Sequence, residues 1–139
     1  MVRITSFMMS EGIMNIPDQN GQLTQILSRP LQILRPQFIP GTFSFCFAVG
    51  ISGIDLTTEN NVLKMVITDP DGKEAARFND MLVPTDPTNT LPIDDSGCLV
   101  CIDVRNMTIL TEGKYLLNVR FNDTLIGTHD IPVYQGTKQ

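Results

Sequence analysis

Apolar residues at every second position, bounded by turn formers, most narrow what this chain can fold into. The last thirty residues show it best. After Glu112-Gly113-Lys114, the residues Tyr115, Leu117, Val119 and Phe121 share one parity, Asn122-Asp123 breaks the run, and a second run ends at Ile131-Pro132-Val133. A period of two gives a strand one wet and one dry face. Two such strands joined by Asn-Asp read as a terminal hairpin. A sheet with one dry face must cover it with a second layer, so the pattern argues for an antiparallel β-sandwich.

The same alternation recurs upstream. From Thr42 to Ile51, Phe43, Phe45, Phe47, Val49 and Ile51 form a large apolar face, and Ser44, Cys46, Ala48 and Gly50 form a small one. Val62 to Thr68 and Lys73 to Phe78 read as a hairpin around Asp69-Pro70-Asp71-Gly72, a tight-reversal sequence. Cys98 to Val104 predicts a buried strand with Cys98, Val100, Ile102 and Val104 on one side, followed by Met107 to Leu110. Near the start, Val2 to Met9 predicts an inner strand with Val2, Ile4, Ser6 and Met8 on one face and Arg3, Thr5, Phe7 and Met9 on the other. Ser10-Glu11-Gly12 separates it from the apolar patch Ile13 to Ile16, and Asp18-Gln19-Asn20-Gly21 turns the chain toward Gln22 to Leu27.

Three prolines (Pro30, Pro36, Pro40) confine Leu27 to Gly41 to an edge, bulge or extended crossing between sheets, because proline donates nothing to a ladder. Residues 79 to 97, with Pro84, Pro87 and Pro92, predict a long mobile loop. Only Leu56 to Met65 has room for a helical turn. The count is seven or more short strands in one domain spanning residues 1–139.

Ten Lys and Arg against fifteen Asp and Glu give a net charge of −5, which repels phosphate backbones and anionic headgroups. Neither nucleic acid nor membrane is an expected partner. No charged segment followed by an apolar stretch of export-signal length opens the chain, and no apolar run reaches membrane-spanning length, so the expectation is a soluble cytoplasmic protein. Cys46, Cys98 and Cys101 are an odd set and cannot close a disulfide framework; free thiols are expected.

Reactive constellations are scarce. Cys98-Leu99-Val100-Cys101 has C-x-x-C spacing, but residues three apart on a strand point to opposite faces, and a complete metal site would also need Cys46 and His129 from distant segments. The redox version needs a helix N-terminus beside the thiol, and no βαβ pattern supplies one. His129 is the only histidine, so a nucleophile-plus-base mechanism would have to pass through it, and no G-x-S-x-G accompanies it. It reads as a surface residue. Asp69, Asp71, Asp94 and Asp95 could gather around calcium, yet the spacing lacks a bidentate glutamate and Asp-Pro-Asp-Gly is first a turn. No glycine-rich phosphate loop opens a helix. The reading is therefore no catalytic residue, no metal ligand and no cofactor, with Met8, Met9, Ile13, Met14 and Ile16 as the candidate apolar interface.

Several signposts recur in an order that resembles a family of small uncharacterised bacterial and phage proteins, a domain of unknown function. They are Ile4 to Met9, Asn20-Gly21-Gln22-Leu23 leading to Ile26-Leu27, Pro36, Pro40-Gly41 before Phe43, Asp69-Pro70-Asp71-Gly72, Glu112-Gly113-Lys114-Tyr115 and Ile131-Pro132-Val133. The resemblance implies an immunoglobulin-like sandwich and brings no catalytic residue with it. The expectation is an all-β, immunoglobulin-like antiparallel sandwich acting as a non-enzymatic interaction or structural module, in a larger assembly or a host–phage system, with a homodimer favoured. Two rival readings stand beside it. One is a small-ligand or sensing domain with a pocket near residues 84–97; the other is a metal-binding protein using Cys46, Cys98, Cys101 and His129.

Overall fold

A computed structural model describes residues 1–136 and contains nine strands. They are β1 (Arg3–Pro17), β2 (Leu23–Leu31), β3 (Gly41–Ser52), β4 (Val62–Thr68), β5 (Glu74–Arg77), β6 (Met81–Leu82), β7 (Gly97–Ile109), β8 (Gly113–Phe121) and β9 (Thr124–Val133), with a 3-10 turn at Ile93–Asp95. One sheet runs β2-β1-β3-β7 and the other β5-β4-β8-β9, with β6 also paired to β4; every strand pairing is antiparallel. Among the described residues no helix is long and apolar enough to cross a membrane.

The order of crossing identifies the sandwich. In an immunoglobulin domain strands A, B and E face strands C, F and G. Here β1, β3 and β7 hold the first set of places and β4, β8 and β9 the second, with β5 beside β4 in the C′ position. A second signature agrees. Tyr115, near the start of the F-type strand β8 and 1% exposed, donates its hydroxyl back to the Thr111 carbonyl at 2.9 Å, the corner tyrosine of such folds. Two residues on, where antibody domains place a disulfide cysteine, stands the buried Leu117.

The core lies between the sheets. Phe45, Phe47, Val49 and Ile51 of β3 meet Leu63, Met65 and Ile67 of β4 and Tyr115, Leu117 and Val119 of β8. Alternation delivers these residues to one face, as the sequence predicts for β3 and β8. The small face of β3 is buried as well, because Cys46, Ala48 and Gly50 are small residues on a central strand flanked on both sides by β1 and β7.

Several local expectations are corrected. A bulge between Ile4 and Ser6 shifts the parity of β1, so Ile4 and then Phe7 and Met9 point inward while Met8 faces out. Ser10-Glu11-Gly12 does not break the chain: β1 is one strand of 15 residues. The predicted strands Cys98 to Val104 and Met107 to Leu110 also fuse into β7, across a bulge where the Asn106 N–H donates to the Ser44 hydroxyl at 2.9 Å. Residues 56–61 form turns, with Asn60 at φ 65, and no helical turn. After β2 the chain crosses to the other sheet, as the prolines predict: Leu34 makes a parallel bridge to Val133, donating to the Pro132 carbonyl at 2.9 Å.

The segment 83–96 takes the place where an immunoglobulin domain carries strand D, leaving the outer edge of β7 unpaired. It is not a loose loop. Val83 and Asp86 donate to the carbonyls of Asn61 and Leu56, the Ser96 carbonyl accepts from Gly53 and Ile54, and the buried Ser96 hydroxyl donates to the Pro92 carbonyl at 2.9 Å.

Candidate functional site

The most distinctive feature is a ribbon that leaves the sandwich. β1 pairs with β3 only as far as Ser10; from Gly12 to Pro17 it pairs with β2 alone, running opposite Ser28 to Leu23. The tip is a well-made turn. Asp18 accepts from the N–H groups of Asn20 and Gln22 at 2.8 and 2.9 Å through one carboxylate oxygen, its own N–H donates to the Gln22 carbonyl at 2.7 Å, and Gly21 supplies φ 78. At the other end Arg29 and Glu11 form an exposed ion pair at 3.3 Å.

Between those ends the ribbon is apolar and wet. Met14 is 50%, Ile16 38%, Ile26 41% and Leu23 71% exposed, and Ile13 and Leu27 are half-buried. Met14 lies opposite Ile26 on one face; Ile13 opposite Leu27 and Pro17 opposite Leu23 lie on the other. From Gly12 to Ser28 the one charged residue is Asp18. Of the five sequence-predicted interface residues, Met14 and Ile16 lie on this ribbon in the open and Ile13 at its base. Met8 is exposed on the outer face of the sheet beside Ala48. Met9 is not on that surface; it is 4% exposed and belongs to the core, because the bulge after Ile4 turned its parity inward. Leu23 and Ile26 were not among the expected interface residues; the uncharged run from Gln22 to Leu27 directly after the Asp18–Gly21 turn was the available signal.

At the root of the ribbon lies a cleft of about 740 Å³, floored by Phe7, Met9, Pro30 and Leu31 and rimmed by His129 and Asp130. His129 stacks on Phe7 with ring centroids 4.1 Å apart, and its Nδ1 lies 3.1 Å from the Asp130 carbonyl, which can only accept. It is exposed, as expected for this histidine. Residues 84–97 line neither this cleft nor a smaller one of about 330 Å³ that includes Lys64, Asp80 and Asp123.

The cysteines and His129 are not gathered. Cys46 sits on the outer face of its sheet and donates its thiol to Asp103 at 3.3 Å, while Cys98 packs against the core and Cys101 pairs beside Ala48 on the outer face, so the C-x-x-C sulfurs diverge as strand geometry requires. Burial, and then the Asp103 hydrogen bond, push the Cys46 thiol up to about 11; burial raises Cys98 too. Such thiols stay protonated at neutral pH and are poor nucleophiles and poor metal ligands. Among the described residues no three His, Cys, Asp or Glu side chains are placed to hold a metal ion. Asp69 is a turn residue, accepting from the N–H groups of Asp71 and Lys73 at 2.9 Å each.

No protein-family model matches the chain, and no curated protein matches it. Among solved structures, an immunoglobulin-like protein from Pseudomonas aeruginosa is similar to it, with 15% sequence identity over 96% of this chain and 97% of that one and a TM-score of 0.40.

Proposed function

We propose that this protein is a non-enzymatic interaction module that engages a protein partner through the β1–β2 ribbon and works as one component of a larger assembly. The exposed apolar ribbon carries the reading. A two-stranded ribbon alone is marginal in water, and this one holds Met14, Ile16, Leu23 and Ile26 in solvent with no charged side chain beside them. Such a surface gains by being covered. Membership of the family of small bacterial and phage proteins, a role in a host–phage system and a cytoplasmic location belong to the same proposal; the turn signposts and three free thiols support them.

The test is a shortened ribbon, with residues 13–27 replaced by an Asn-Gly turn joining Gly12 to Ser28, which already face each other. The expected variant keeps the β-sheet circular dichroism and cooperative unfolding of the sandwich but loses self-association in light scattering and its co-purifying proteins from the native host. Retention of every association of the full chain would overturn the reading. A second reading, a small apolar ligand, draws on the cleft floored by Phe7 and Leu31. A Leu31→Arg variant that loses such a ligand while keeping all protein associations would favour it.

A further inference from the structure

Of the strands at sheet edges, β2 and the first half of β7, residues 97–102, offer runs of six residues without protection, and that of β2 stands clear of the sandwich on the ribbon. β7 carries Asp103 and Arg105 and a bulge, β9 carries Asp130, β5 carries Glu74 and Arg77, and β6 is two residues long. Natural edges are blunted by such charges, bulges and brevity. Leu23 to Ser28 has none of these protections, in a chain whose net charge is −5. Two copies can therefore approach along this edge without facing like charges.

Hydrogen-bond parity then sets a register. Asp18 and Gln22 exchange a bond across the tip, so alternation along the ladder makes Ile16 with Thr24, and Met14 with Ile26, inward-bonded pairs. Leu23, Gln25 and Leu27 are left with their N–H and C=O groups pointing out of the free edge. We infer that β2 pairs antiparallel with β2 of a second copy of this chain about a two-fold axis at Gln25. This inference rests on the ribbon being the interaction surface. In that register Gln25 faces Gln25 and Leu23 faces Leu27 of the second copy, three outward-bonding pairs that close with about six hydrogen bonds. Shifting the axis by one residue leaves only two such pairs, because Arg29, at φ 54, no longer continues the edge.

The side chains agree with the backbone. Joining the ribbons gives a four-stranded sheet in which Pro17, Leu23 and then Leu27 and Ile13 of the second copy form one row. On the opposite face Ile16 and Thr24 continue into Ile26 and Met14 of the second copy. Leu23 meets Leu27 at the two outer crossings of one face, Thr24 meets Ile26 on the other, and the uncharged Gln25 pair lies on the axis, so no crossing sets like charges together. The contact is isologous, so it closes at a dimer and leaves no further β2 edge for a third copy.

Sedimentation of the full chain over a concentration series is expected to show a monomer–dimer equilibrium. Gln25→Lys sets two ammonium groups opposite each other on the axis and is expected to raise the dissociation constant roughly tenfold or more, with circular dichroism and melting temperature unchanged. Gln25→Cys is expected to oxidise to a dimer linked between the two copies of position 25, identified by peptide mass mapping, since directly facing bonded residues have Cα atoms about 5.5 Å apart. Ile26→Cys, which faces Thr24 of the second copy, is expected not to link. A strictly monomeric wild type, or a dimer indifferent to Gln25→Lys, overturns the inference. If the shortened ribbon still abolishes partner binding in either case, the interaction reading stands and only the second copy falls. If the shortened ribbon keeps every association, the reading itself has failed.

Discussion

Tyr115 shows how one side chain fixes a corner of the sandwich. Its ring is in the core and its hydroxyl reaches the Thr111 carbonyl, so Tyr115→Phe keeps the packing and deletes one buried bond. A loss of about 1–2 kcal/mol is expected, read as a lower urea midpoint with unchanged slope. Cys46 makes a prediction in pH. Its thiol titrates at about 11 in the folded protein against 9.0 for the ordinary group, so between those values the folded state keeps a proton that the unfolded chain has lost. Its contribution to stability is complete below pH 9 and is lost as pH rises toward 11, by about 1.4 kcal/mol per unit. Urea titrations across that window should show the decline, and Cys46→Ala should make it shallower, leaving the part that the buried Cys98 contributes; a wild-type decline no steeper than the variant's refutes the assignment. The divergence of Cys98 and Cys101 was legible from spacing alone, because the period of a strand fixes which way each points. The Cys46–Asp103 contact was not, since it joins residues 57 apart in sequence.

At the scale of elements, the ribbon is held at its tip by local chemistry and along its length by pairing alone. Asp18→Ala removes the oxygen that accepts from Asn20 and Gln22. Faster hydrogen exchange at the Ile16, Thr24 and Ile26 amides is expected, from about 1 kcal/mol of lost local stability, with the global melting temperature nearly unchanged. Equal loss of protection in β3 and β8 would mean that the ribbon is part of the sandwich's cooperative unit. The hairpins at Asp69–Gly72 and Asn122–Asp123 were readable because their turn residues accept unusual backbone angles, φ 47 and 67 at the second. The fusion of two predicted segments into β1 was not. Ser10, Glu11 and Gly12 read as punctuation, and the facing Ser28 and Pro30 of β2 and Cys46 of β3 hold them extended.

For the molecule as a whole, folding and association reside in different residues and can be separated. Phe47 is fully buried and packs its ring against Phe7, Phe45 and Phe78, contacts that span both sheets. Phe47→Ala is expected to cost about 3–5 kcal/mol, a large share of a domain's total stability, and to lower the urea midpoint accordingly. Leu23→Ser, on the open ribbon, is expected to move stability by less than about 0.5 kcal/mol while weakening association. If Leu23→Ser instead lowers the midpoint as Phe47→Ala does, the ribbon is packed on the sandwich and not free of it. Alternation and turn chemistry are written in neighbouring residues, and they suffice for the tight turns, the dry face of β3 and β8 and hence the two-layer sandwich. Contacts between distant segments set the rest: the bulge near Thr5 turns Met9 inward, residues 83–96 leave the outer edge of β7 unpaired, and β1 and β2 run past the core into solvent. Those outcomes depend on which distant strand each segment meets, and a periodic pattern records a face without recording what lies against it.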